Sequence, residues 1–259
     1  MRFSPDISWL DERTLWPGLA MSGVVTVMVL ISELFLRGSA KGSTLLSRLS
    51  KIDQMVYSLV SFVGALFGSY YLYLYVSDPF SQPLFSLRSP LACGALRHPT
   101  AQLLLEVYFW SKLYEAHDLV VVIARGYPIN AHFVVHHIST PLFAWVGYVS
   151  CSAHGMSFLV LNCIMHTMLY AFFAGFSYNW LKSLLRFWQN VQLWGGILLC
   201  SMALSERLQG RPCTRQEGVA MGWYADTWPI ILFLTYFALF RLELAEEARE
   251  MEEAKKKRK

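Results

Sequence analysis

The sequence predicts an all-α membrane protein of seven transmembrane helices, on three observations. Of its 259 residues, 55% are hydrophobic and only 15% charged, a balance more apolar than soluble domains carry. Apolar stretches recur at lengths near the roughly 20 residues that a helix needs to cross a bilayer. No segment between them is long enough for a second globular unit. Residues 1–241 therefore read as one membrane domain, and 242–259 as a charged tail.

The expected spans are 17–36, 55–76, 102–123, 131–149, 155–177, 184–204 and 222–240. The first follows a polar stretch holding Asp6, Asp11, Glu12 and Arg13 and lacks a small-residue cleavage site, so it reads as a retained span rather than a signal peptide. The second ends in Tyr70, Tyr71, Tyr73 and Tyr75, residues suited to a membrane–water interface. The third and fourth carry ionisable residues and would fail a strict hydropathy criterion. No internal repeat or low-complexity linker separates any of them. The tail is helix-prone: Glu246, Glu247, Glu250, Glu252 and Glu253 precede its lysines.

Lys and Arg placement sets the orientation. Arg37, Lys41, Arg48, Lys51, Arg125, Lys182, Arg186, Arg241, Arg249 and the basic residues at 255–259 fall on one side. Arg2, Arg13, Arg88, Arg97, Arg207, Arg211 and Arg215 fall on the other. The first, richer side should be cytosolic, which puts the N-terminus in the lumen and the C-terminus in the cytosol. Lys256 and Lys257 then form a cytosolic di-lysine, an address for the endoplasmic reticulum. Nucleic acid is not an expected partner, because basic residues outside the tail are thin and scattered. The five cysteines show no metal-binding spacing such as CxxC.

Polar residues at membrane depth are costly and point to a partner or a task. In the third span Lys112, Glu115 and Asp118 are three apart and step by about 300°, which keeps them on one side of the helix. Lys112 and Glu115 can neutralise each other. His117 points elsewhere. In the fourth span His132 and His136 share a face, and His137 is turned by about 100° from His136. In the fifth, Asn162 and His166 share a face. With the expected orientation, the three helices bring these groups to similar depth, opening toward the cytosol. His98 and His154 are expected in loops as hydrogen-bonded structural residues. Seven histidines are too few for a membrane di-iron site. A single zinc on His132, His136 and His166 fits the spacing, but no second motif supports it, and no metal is expected. A seven-helix transporter or receptor with a polar central site would also account for such a cluster.

The same residues resemble the ELO family of very-long-chain fatty acid elongases, the condensing 3-ketoacyl-CoA synthases of the endoplasmic reticulum. The family's KxxExxD signature is matched by Lys112, Glu115 and Asp118, and its histidine box by His136 and His137, with Trp145 following. Its NxxxHxxMYxYY signature is matched by Asn162, His166 and Tyr170, with Leu169 in place of Met and Phe172 and Phe173 in place of the last two tyrosines. Its QxxQ pair is matched by Gln189 and Gln192. The first histidine of the box departs from the pattern: Phe133 stands at its position, and His132 is displaced by one.

The resemblance implies a seven-helix fold with a cytosolic C-terminus. It also implies condensation of a long-chain acyl-CoA with malonyl-CoA to a 3-ketoacyl-CoA, with release of CO2 and CoA. Its implied machinery is His136 as the acyl-accepting nucleophile, with His166 and Asn162 acting on malonyl-CoA. His137 and Asp118 would orient the imidazoles. Lys112 and Glu115 would hold helices or contact substrate, while His132, Tyr170, Gln189 and Gln192 would line the site. Arg125, Lys182 and Arg186 would meet the CoA phosphates. No cofactor beyond these substrates is implied. The partners are the lipid bilayer, the other enzymes of the elongation cycle and, where it oligomerises, a second copy. The acyl chain would run in an apolar tunnel from the histidines toward the lumen. Cys93 and Cys213 would lie in lumenal loops, available for a disulfide, with Cys151 competing; Cys163 and Cys200 would be packing residues. A non-catalytic homologue of the family is a further alternative, given the displaced histidine.

Overall fold

The computed structural model describes residues 12–77, 93, 96, 98–211, 213, 215–216 and 219–257. Arg2, Arg88, Arg97, Arg258 and Lys259, used above for orientation, lie outside them. Among the described residues, seven long helices follow one another in the expected order: α1 (Glu12–Ile31), α2 (Thr44–Val76), α3 (Pro99–Ala124), α4 (Ala131–Ser150), α5 (Ala153–Ala174), α6 (Asn179–Leu208) and α7 (Tyr224–Lys257). A π-helical turn, Ser32–Leu36, extends α1. A two-residue hairpin, β1 (Arg215–Gln216) with β2 (Val219–Ala220), joins α6 to α7.

Among the described residues, four helical stretches are long and apolar enough to cross a membrane: Leu15–Leu36, Thr44–Val76, Ala153–Ala174 and Tyr224–Glu253. Helices α3 and α4, which carry the polar clusters, and α6 with its charged ends are long but fall short on composition. Two boundaries differ from the expected spans. Helix α2 starts at Thr44, because the Ser43 hydroxyl accepts from the Leu46 amide at 3.2 Å and caps it there. Helix α7 runs without a break into the tail, whose Glu and Lys residues are good helix formers. His154 is not in a loop but in the first turn of α5, buried, with no hydrogen-bond partner for Nδ1. His98 does precede a helix, and its Nδ1 accepts from Thr100 N at 3.2 Å.

Small residues let the helices approach. Helix α2 packs extensively on α5 through Gly64 and Gly68, a GxxxG pair of the kind that brings membrane helices together. A Cβ at Gly68 would sit 2.8 Å from Val160 and 3.0 Å from Leu159. The α4–α5 corner is equally tight: a Cβ at Gly155 would lie 2.8 Å from Gly147 Cα. Ser152 caps α5 there, accepting from Gly155 N at 3.1 Å. At this end of the molecule Arg207 pairs with Asp226 and donates to Met221 O at 2.7 Å. Cys93 and Cys213 form a disulfide across 120 residues, whereas Cys151, Cys163 and Cys200 are free thiols.

Candidate active site

Helices α2 to α7 enclose a cavity of about 590 Å³, within the range of small-molecule sites. Its mouth is formed by the start of α2 (Ser47, Ser50, Lys51), the α3–α4 connection (Arg125, Tyr127, Pro128, Ile129) and Glu243 of α7. Asp118, His132, His136, His137, Asn162, His166, Tyr170, Gln189 and Gln192 all line its wall. Four helices, α3 to α6, thus deliver to one space residues that the sequence singles out.

Behind that wall is a dry ionic cluster. Lys112 and Glu115, each 1% exposed, are 2.6 Å apart. Lys112 Nζ also donates to Asn162 Oδ1 at 2.8 Å and lies 4.2 Å from the centre of the Tyr108 ring. Glu115 Oε1 further accepts from Tyr57 OH at 2.8 Å and from Ser111 Oγ at 3.4 Å, and it lies 3.5 Å from His166 Nδ1. Such a buried pair depends on further hydrogen bonds; the Tyr57 and Ser111 hydroxyls supply them to Glu115 Oε1 and the Asn162 amide to Lys112, while Glu115 Oε2 is buried with no hydrogen-bond partner. Lys112 and Glu115 do not line the cavity. They reach it through Asn162 and His166, one holding the amide and the other facing the ring.

The two imidazoles at the centre come from different helices. Ligand atoms of Glu115, His136 and His166 all lie within 4.8 Å of one another. His136 packs against His137 at 5.4 Å and Tyr236 at 5.1 Å between ring centres. Tyr236 OH shares a 2.6 Å hydrogen bond with Ser139 Oγ and donates to His136 O at 3.3 Å. His137 sits edge-on to Phe133 at 4.6 Å. Phe133, at the place of the family's first histidine, thus fills the space with a ring. Pro141, four residues beyond His137, cannot donate to its carbonyl.

Other predicted residues have different partners from those expected. Asp118 accepts from Tyr170 OH rather than meeting an imidazole. The displaced His132 faces Glu243 of α7, Nδ1 to Oε2 at 3.2 Å, and Asn130 Nδ2 donates to the other oxygen at 2.9 Å. Lys182 and Arg186 are not on the cavity wall, and Arg186 pairs instead with Glu247. The cations that do line the mouth are Arg125 and Lys51.

Four contributors escaped the sequence reading. Tyr57 and Tyr236 sit in mainly apolar runs, beside Ser58 and Thr235, which belong to no motif. In the sequence Lys51 reads as a topology residue, and Glu243 as part of the tail. The shared side of α3 offered a weak signal for Tyr57, since a buried carboxylate needs donors from a neighbouring helix.

A model of the family described as "ELO: GNS1/SUR4 family" matches residues 12–241. The chain is 26% identical to "Very long chain fatty acid elongase 6" of Drosophila melanogaster over 68 residues, 26% of this chain and 22% of that protein. It is 28% identical to "Putative fatty acid elongase 3" of Caenorhabditis elegans over 69 residues, 27% of this chain and 22% of that protein. Each match spans about a fifth of the relative. No solved structure matches the chain significantly. With the family model covering nearly all of the helical bundle, the chain belongs to the ELO: GNS1/SUR4 family.

Proposed function

We propose that this protein elongates fatty acids, as a 3-ketoacyl-CoA synthase that spans the endoplasmic reticulum membrane seven times with its C-terminus in the cytosol. The observation that carries the reading is the approach of His136 and His166, from separate helices, on the wall of one cavity. The names of the two relatives and the family agree with it.

The chemistry proceeds in two stages. The lone pair of the His136 imidazole attacks the acyl-CoA thioester carbonyl; the C–S bond breaks, an N–C bond forms, and CoA leaves as the thiol with the proton given up by the imidazole. Malonyl-CoA then loses CO2. The resulting enolate attacks the acyl carbonyl, a C–C bond forms, the N–C bond breaks, and His136 leaves and takes up one proton from solvent to return to the neutral imidazole. His166, as an imidazolium with Nδ1–H toward the Glu115 carboxylate, presents Nε2–H as the donor that polarises the malonyl thioester and stabilises the enolate oxygen. Asn162, held by Lys112, sits one turn away from it. Arg125 and Lys51 at the mouth suit the CoA phosphates.

Incubation with acyl-CoA alone should give an acyl adduct by intact mass on the wild type and none on His136→Ala. Absence of the wild-type adduct, or its survival in the variant, would remove His136 as nucleophile. Malonyl-CoA-dependent CO2 release separates a synthase from a transporter, a receptor or a non-catalytic homologue.

A further inference from the structure

Two side chains on the cavity wall have nothing to hold. Gln189 and Gln192, both on α6, line the space, and among the described residues neither side chain has a hydrogen-bond partner. The two asparagines of the wall are engaged: Asn162 accepts from Lys112 Nζ at 2.8 Å, and Asn130 donates to Glu243 at 2.9 Å. Gln54 of α2 is free as well, but no second amide stands one turn from it. Gln189 and Gln192 are three residues apart and so share a side of α6. A polar pair left free at membrane depth points to a ligand.

Contacts with α7 fix their depth. Arg186 pairs with Glu247, and a Cβ at Gly196 would meet the Phe233 ring at 2.4 Å. Helices α6 and α7 therefore run antiparallel, with Gln189 level with Glu243 and Gln192 level with Phe240. His136 packs against Tyr236 of the same helix, and His132 faces Glu243. At a rise of about 1.5 Å per residue, Gln192 stands about 6 Å and Gln189 about 10 Å from His136 toward the mouth. The pantetheine arm of a CoA thioester carries two amides at matching places. Its inner amide nitrogen is four bonds from the thioester carbon and its outer one four bonds further, or about 5 Å and about 10 Å along an extended chain.

We propose that Gln192 and Gln189 form an amide ladder for the pantetheine arm, Gln192 at its inner amide and Gln189 at its outer one, which sets the thioester carbonyl at His136. This rests on the synthase reading above. Each glutamine offers both a donor and an acceptor, as a peptide-like group requires. Beyond the outer amide the arm continues to the mouth, where Lys51 and Arg125 stand. The acyl and malonyl groups arrive on the same arm and in turn, so one ladder serves both stages.

The two rungs can be removed one at a time, from the protein or from the substrate. The experiment uses full-length protein in detergent and one acyl group on three thiols: propanethiol, with no amide; N-acetylcysteamine, with the inner amide; and pantetheine, with both. The rate of acyl-adduct formation is followed by intact mass. In the wild type it should rise about three- to tenfold with each amide added, the usual worth of one neutral hydrogen bond. Gln189→Leu should cancel the step from N-acetylcysteamine to pantetheine and keep the step before it; Gln192→Leu should do the reverse. Each ratio is taken within one variant, so a general loss of folded protein cancels. Gln189→Met and Gln192→Met serve if the leucine variants do not accumulate. An adduct from acyl-CoA on the wild type, with no rise along the three thiols, would overturn the ladder and leave the synthase reading intact. So would both steps surviving in both variants, or falling together in either. No wild-type adduct from any of these donors or from acyl-CoA would overturn the acyl-imidazole route and the ladder with it.

Discussion

Lys112 and Glu115 are costly residues, because each is a charge removed from water. Their worth lies in being paired. Lys112→Met should leave the Glu115 carboxylate buried without its cation and destabilise the protein by about 3–5 kcal/mol, read as a fall in the thermal unfolding midpoint in detergent. Removing both charges, as Lys112→Met with Glu115→Leu, should recover much of that loss, although Asn162 and His166 would still lose their anchors. If Glu115 acts through His166, the effects of Glu115→Gln and His166→Ala on CO2 release should fall well short of additive. The displaced His132 is a different case. It faces Glu243 at a half-open mouth, where an ion pair contributes at most about 1 kcal/mol. His132→Ala should therefore lower turnover by less than about tenfold, whereas His136→Ala should abolish it.

At the scale of the helices, the site depends on how closely α2 can sit on α5. Gly64 and Gly68 permit that approach, and the same helix carries Tyr57, which reaches Glu115 three turns nearer the mouth. Gly68→Leu should push the helices apart and destabilise by about 1–3 kcal/mol, with loss of activity although no cavity residue is altered. The spacing of Lys112, Glu115 and Asp118, and of Asn162 and His166, was legible in the sequence, because helical periodicity fixes which side chains share a side. The pairing of α2 with α5 was not, since Gly64 and Gly68 stand in an apolar span that reads equally well as a helix facing lipid. Helix α7 was legible as a span but not as a wall of the site, because Tyr236 and Phe233 look like ordinary apolar packing until the neighbouring helices are in place.

For the molecule as a whole, the mouth and the opposite end are secured differently. At the mouth, side chains of α7 reach across to α4 and α6, Glu243 to Asn130 and His132 and Glu247 to Arg186. At the other end the Cys93–Cys213 disulfide ties together segments 120 residues apart, and the buried Arg207–Asp226 pair joins α6 to α7. Cys93→Ser or Cys213→Ser should lower stability by about 2–5 kcal/mol, as expected for a long closed loop, and wild type treated with a membrane-permeant reductant should unfold at the variants' lower temperature. If the mouth faces the cytosol, a tag at the C-terminus should be cleaved by protease added outside sealed microsomes.

The sequence by itself determined the helical membrane class, the order of seven helices, the family motifs and ten of the polar residues that line the cavity. These follow from local rules: hydrophobic length, helical periodicity, and the cost of a polar group at depth. Only the tertiary structure decided which polar residues touch, that Glu115 faces His166 from behind the wall, that Arg186 pairs with Glu247 away from the cavity, and that the lining reaches Phe233 on α7. Those outcomes depend on close approach between helices distant in the chain. That approach is set by small residues and ring packing, whose effects have no period for a sequence to display.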